Sequence, residues 1–216
     1  MAQSKLICAA LLVVFGIFGT QAQQPCQTVT GMANLNATQL TGLWYETVQA
    51  PAANVGCVQL NVALANNNTQ LVVTKWTSSS ATSNYMNQFT NATVNVTDVN
   101  ANTGFNFTYT KSPAKPNNAT YKILDTDYKT YVTFCSYTSA TDLTTSVGGI
   151  LTSTVRPNST WVVQLVNNTA PYLVNFNVST VANVTQNNCY ASSASTTLPL
   201  LSSVFAAFYL LIRVFN

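Results

Sequence analysis

Between Gly42 and Ser153 the chain alternates short runs of β-forming residues with clusters of Asn, Gly, Pro and Ser, and this rhythm restricts it to an all-β fold. The runs are Leu43–Gln49, Cys57–Leu64, Gln70–Thr77, Gln88–Thr97, Gly104–Thr110, Tyr121–Asp125, Thr130–Tyr137 and Ser146–Ser153. Between them lie Ala65-Asn66-Asn67-Asn68, Asn100-Ala101-Asn102-Thr103-Gly104 and Ser112-Pro113-Ala114-Lys115-Pro116-Asn117-Asn118, which carry turn chemistry. Eight strands joined by hairpins suit an antiparallel up-and-down barrel, a shape that holds one small ligand. Beyond Arg156-Pro157, Asn158 is placed to cap one short helix running to about Leu165, with Pro171 marking its end. A last extended piece, Tyr172 to Val178, leads to Cys189. No fixed-period repeat, second domain or linker interrupts this order.

Both ends read as processing signals. Residues 1–22 have the form of a secretory signal peptide: Lys5, then the apolar run Leu6 to Phe18, then Thr20-Gln21-Ala22 as a cleavage site, so that the mature chain starts near Gln23. The apolar run falls short of the roughly 20 residues needed to span a bilayer. Residues 193–216 have the form of a GPI-anchor signal: small residues from Ala191 to Ser195, Thr196-Thr197, then the apolar Leu198 to Ile212, with attachment at Ser192 or Ser193. A short transmembrane tail is the alternative, which Pro199, Ser202 and Ser203 disfavour. The domain proper is then 23–192. Without Lys5 and Arg213 the Lys+Arg count drops from 8 to 6 against 5 acidic residues. A net charge so near zero, with no basic run, points away from nucleic acid as a partner.

Ten Asn-x-Ser/Thr sequons stand where charges would usually supply solubility: Asn36, Asn67, Asn91, Asn95, Asn106, Asn118, Asn158, Asn167, Asn177 and Asn183. They also set strand phase, because a glycan faces water and successive strand side chains point to opposite faces. With Asn106 outward, Thr108 follows it and Phe105, Phe107 and Tyr109 face in. With Asn91, Thr93, Asn95 and Thr97 outward, Val94 and Val96 face in.

Signal removal takes Cys8 and leaves Cys26, Cys57, Cys135 and Cys189, an even set that implies two disulfides with three possible connectivities. Around them lie Leu40-Thr41-Gly42-Leu43-Trp44-Tyr45-Glu46, Cys57-Val58-Gln59-Leu60, and Tyr121-Lys122-Ile123-Leu124-Asp125-Thr126-Asp127-Tyr128-Lys129-Thr130-Tyr131. The Gly-x-Trp followed by Thr-Asp-Tyr resembles the lipocalin family, and the whole domain is most similar to its apolipoprotein D/Lazarillo branch. That resemblance implies pairing Cys26–Cys135 and Cys57–Cys189. It implies that Gly42 and Trp44 build the closed floor of the barrel, with Arg156 stacked on Trp44, although here Arg156 directly precedes Pro157. It also implies cargo of the fatty-acid, sterol, retinoid or pigment class.

The chain has no histidine, which removes the commonest general base, His-based triads and His metal ligands together. No paired carboxylates or zinc spacing appear, Gly148-Gly149 is too little for a phosphate loop, and the remaining cysteines are expected to be oxidised. Neither catalysis, cofactor nor metal is expected. The reading is an extracellular carrier of a small hydrophobic ligand, tethered to the membrane by the GPI anchor, with Glu46, Val94, Val96, Phe105, Phe107 and Tyr109 as candidate ligand contacts. The alternative keeps the fold without cargo, as a glycosylated adhesion or signalling module facing an unknown receptor.

Overall fold

The computed structural model describes residues 23–52, 54–99, 103–111 and 118–191. The expected signal peptide 1–22, the expected attachment residues Ser192 and Ser193 and the expected anchor signal 193–216 lie outside the described residues. Nine strands build the wall: β1 (Gly42–Ala50), β2 (Gln59–Ala65), β3 (Gln70–Ser78), β4 (Tyr85–Asn95), β5 (Phe105–Asn106), β6 (Thr108–Lys111), β7 (Thr120–Thr126), β8 (Tyr131–Tyr137) and β9 (Val147–Thr152). Their hydrogen-bonded order is β4-β3-β2-β1-β9-β8-β7-β5, with β6 on the other edge of β4. All of these ladders are antiparallel.

The fifth of the eight expected strands is therefore split. Phe105 and Asn106 pair with Tyr121 and Thr120 of β7, whereas Thr108, Tyr109 and Lys111 pair with β4. One residue, Phe107, hands the chain from one neighbour to the other, and this short segment completes the ring. Two two-residue strands, β10 (Ala182–Asn183) on β1 and β11 (Tyr190–Ala191) on β4, extend the sheet. The helical pieces are a single turn, α1 (Val96–Val99), and α2 (Ser159–Thr169), capped by the Asn158 side chain, which accepts from the Thr160 and Trp161 amides. Helix α2 runs one turn past Leu165, and Thr169 satisfies its hydroxyl on the Leu165 carbonyl at 2.9 Å. The piece Tyr172–Val178 is bent rather than extended; within it Leu173 bridges Gln24 and Phe176 is fully buried.

Local chemistry explains the joins. Asn66, Asn67 and Asn68 all take positive φ between β2 and β3, a conformation that Asn tolerates better than most residues. Between β7 and β8 the Asp127 carboxylate accepts the backbone N–H groups of Lys129, Thr130 and Tyr131 at 3.0, 2.7 and 3.1 Å, along with the Thr130 hydroxyl. Burial alone would raise the Asp127 pKa, but these donors outweigh it and hold the carboxyl down at about 2. The next residue, Tyr128, accepts the Asn36 amide at 3.0 Å and so ties the Thr-Asp-Tyr turn to the chain entering β1.

There are two apolar layers. The first fills the closed end of the barrel with Leu40, Trp44, Leu71, Val99, Phe105 and Val132 among others. The second lies outside the wall, where Val162, Leu165 and Val166 of α2, with Leu173 and Phe176, cover Val48 and Ile150. Strand β9 is sandwiched between them, and five of its six residues are buried. A β-bulge between Glu46 and Val48 lets β1 serve both layers. Before the bulge Trp44 and Glu46 face in; after it Val48 faces the outer layer and Gln49 faces in.

Gly148 sits where the outer layer presses on the wall. A Cβ there would stand 2.5 Å from Leu173 Cδ2 and 2.6 Å from Phe176 Cδ2. Gly148→Val is expected to destabilise the domain by about 1–3 kcal/mol through overpacking. Denaturant midpoints check this, and an unchanged midpoint would show that Leu173 and Phe176 yield freely.

Disulfides join Cys26 to Cys135 and Cys57 to Cys189, with Cα–Cα separations of 5.7 and 5.5 Å. Beside the first, Lys122 is only 5% exposed on the outer face of β7. Its ammonium donates to the carbonyls of Val29 at 2.7 Å and Gln27 at 3.1 Å, and it lies 5.8 Å from the Tyr137 ring centroid. Burial lowers its pKa. Lysine and disulfide together fasten the N-terminal segment to the wall.

Candidate functional site

The barrel encloses a cavity of about 520 Å³. Its closed end begins at Gly42, whose φ of 137° is open to glycine and strained for other residues. This turn drops the Trp44 indole over the 3-10 turn Ala37–Leu40, where the indole N–H donates to the Leu40 carbonyl at 2.9 Å. Trp44 is 3% exposed and forms the floor with Leu40, Val99 and Val132. Arg156 does not stack on it. The arginine is exposed in the bends that follow β9, and among the described residues no guanidinium–indole pair forms. Placed directly before Pro157, Arg156 has already left the wall.

Above the floor the walls are apolar, carried by Leu60, Val62, Val73, Phe107, Ile123 and Phe134. Of the six expected contacts, Glu46, Phe105, Phe107 and Tyr109 line the cavity. Phe105, Phe107 and Tyr121 pack as a cluster with ring centroids 5.1–6.3 Å apart. Val94 and Val96 do not line it. Val94 is buried in the floor cluster beside Leu71, its partner across β3 and β4. Val96 has left the strand: its amide donates to the Thr69 carbonyl at 2.9 Å and begins α1, so the alternation that predicts an inward face stops at Asn95.

Halfway up, five strands contribute polar side chains to one belt: Glu46 from β1, Lys75 from β3, Thr90 from β4, Tyr109 from β6 and Tyr121 from β7. Lys75 and Thr90 are cross-strand partners, and Tyr109 is the partner of Ala92, two residues further along β4. Burial, the neighbouring Tyr109 phenol and the nearby Glu46 carboxyl all raise the Tyr121 pKa. Glu46 is 4% exposed, and its carboxyl lies against Gly149, whose missing side chain leaves room for it and for the Phe134 ring. Burial raises the Glu46 pKa, and the positive charge of Lys75 opposes this only in part. Among the described residues no hydrogen bond or ion pair reaches the Glu46 carboxyl. Lys75, Tyr121 and Gly149 were not among the expected contacts. For Lys75 a signal existed: it continues the inward phase of Leu71 and Val73, where a lone charge is out of place.

A buried carboxyl with a raised pKa binds its proton more tightly folded than unfolded. The domain should therefore lose stability as pH rises above the ordinary carboxylate value of 4.5, until the folded-state value is passed. Glu46→Gln should flatten that fall, which unfolding curves at pH 4 to 8 would show; parallel curves for both proteins would refute it.

The ten sequon asparagines are all in described segments. Eight are exposed; Asn91 and Asn177 are half-buried.

No family model matches the sequence, and no curated protein does. Solved structures do. The amine binding protein of Rhodnius prolixus, in its tryptamine complex, superposes with a TM-score of 0.61 at 14% identity, over 79% of this chain and 92% of that one. Insecticyanin from the tobacco hornworm Manduca sexta gives 0.56 at 17% identity, over 79% and 92%. The cockroach allergen Per a 4 gives 0.52 at 21% identity, over 79% and 97%. The chain has a lipocalin fold. The chain lacks histidine, the four domain cysteines are in disulfides, and among the described residues no three His, Cys, Asp or Glu side chains converge on a metal position.

Proposed function

We propose that the protein binds and carries one small hydrophobic molecule in its barrel, as a secreted, glycosylated lipocalin of the apolipoprotein D/Lazarillo-like branch. The observation that carries this is the cavity of about 520 Å³ with a largely apolar wall and few polar groups, within the usual size range for small-molecule sites. Binding draws on apolar burial, about 25 cal/mol per Å² removed from water. The Rhodnius protein of similar fold, solved with tryptamine, supports the idea that such a barrel accepts a small organic guest. The branch rests on the sequence blocks around Trp44 and Asp127 and on the four cysteines. Secretion, sugars at the exposed sequons and a GPI tether through Ser192 or Ser193 rest on the sequence signals alone.

An adhesion module without cargo would have no use for this void, which favours the carrier. Native mass spectrometry and lipid extraction of the purified protein test it: a ligand should co-purify or load from a panel of fatty acids, sterols and retinoids. A barrel that stays empty against the whole panel would refute carriage. Release from cells by a GPI-specific phospholipase tests the tether separately.

A further inference from the structure

The belt at mid-height has a charge character that the rest of the cavity lacks. Among the described residues Lys75 is the one cationic side chain lining the cavity, and Glu46 is the one acid. Glu46 is almost fully buried and its carboxyl has no partner among the described residues, so burial works against its ionised form, whereas the Lys75 side chain is half-exposed on the lumen. The Tyr109 phenol adjoins that of Tyr121 and lines the cavity, and a phenol O–H can donate to a guest. The Thr90 hydroxyl stands across the ladder from Lys75. The belt thus sets the Lys75 ammonium, which makes no ion pair with Glu46, beside the Thr90 and Tyr109 hydroxyls, above a chamber of Trp44, Leu71, Phe105 and Ile123 that offers only apolar contact.

We propose that the preferred cargo is an amphiphile with a single anionic head group (a carboxylate, or a sulfate or phosphate monoester) held by Lys75, Tyr109 and Thr90, with its apolar part pointing down onto Trp44. This rests on the carrier reading and narrows it. A cationic head group would meet Lys75 as a like charge and would require Glu46 to ionise in a buried position. A neutral alcohol would satisfy one donor or acceptor and leave the ammonium without a counter-charge. A charge-assisted hydrogen bond is about twice as strong as a neutral one, so the anion should lead.

The test compares dodecanoate, dodecanol and dodecylamine, which share a tail, by displacement of a fluorescent apolar probe from the glycosylated protein made in a secretory host. Dodecanoate is expected to bind about tenfold more tightly than the alcohol, and the amine least. Lys75→Met should abolish the preference for the acid over dodecanol, and Lys75→Arg should retain it. The inference is overturned if the amine binds tightest, if the three bind alike, or if the preference for the acid survives Lys75→Met. Should Lys75→Met not fold, the ranking on the unaltered protein still decides. If none of the three binds, this inference fails, and the carrier reading fails with it only if the sterols and retinoids of the panel are refused as well; equal binding of all three overturns this inference and spares the carrier reading.

Discussion

Replacing Cys26 and Cys135 together by alanine is expected to lower the unfolding free energy by about 4–5 kcal/mol. The bridge closes a loop with a sequence separation of 109, and chain-entropy reasoning assigns about 4.7 kcal/mol to a loop of that size. A native-state contribution runs in the same direction. Both cysteines are fully buried in the outer layer, and the segment they fasten supplies the carbonyls of Gln27 and Val29 that neutralise the burial cost of Lys122. If the segment lifts, the ammonium returns to water and the outer layer loses one edge. Urea unfolding of the double variant, followed by intrinsic fluorescence and circular dichroism, measures the loss. A change under about 1 kcal/mol would mean that the Lys122 contacts and the Gln24–Leu173 bridge hold the segment unaided.

Trp44→Ala should cost about 3–5 kcal/mol, the usual range for deleting a buried large aromatic side chain. The indole fills the floor between Leu40, Val99 and Val132, and its N–H is the donor to the Leu40 carbonyl. Removing it extends the cavity downward and strips the ligand chamber of its base, so affinity for an apolar guest should fall along with stability. Trp44→Phe separates the two contributions. The ring still packs, while loss of the indole hydrogen bond leaves a cost nearer 1 kcal/mol. Equal losses for the two variants in thermal and denaturant unfolding would show that the hydrogen bond, not the volume, carries the floor.

Much of the wall was legible because strand periodicity and turn chemistry are local. Gln70–Thr77 differs from β3 by one residue at its end, and Asn66-Asn67-Asn68 forms the left-handed turn its composition implies. The inward phase of Phe105, Phe107 and Tyr109 follows from alternation around Asn106, and all three line the cavity. The same rule misplaced Val96, because alternation in the sequence continues through Asn95-Val96-Thr97 while the backbone does not. A hydrogen bond from Val96 to Thr69, across the neighbouring hairpin, turns the chain into α1, and no pattern within the strand announces it. The split at Phe107 escaped for a similar reason: Gly104–Thr110 is one extended run by sequence, and only the positions of β4 and β7 divide it.

By itself the sequence determined the all-β class, the order of hairpins and the capped helix at Asn158, since each depends on residues close together in the chain; the floor at Gly42 and Trp44 was implied by resemblance. The tertiary structure alone decided which polar groups meet. Glu46, Lys75, Tyr109 and Tyr121 come from four strands, and their burial and shared field depend on the ring closing around them. It also decided that Arg156 stays outside, that Lys122 is buried under the N-terminal segment, and that Gly148 and Gly149 are points where packed side chains meet the wall. Alternation says which face a side chain takes; what waits on that face is set by strands far away in sequence, and the electrostatics of the lumen follow from that meeting.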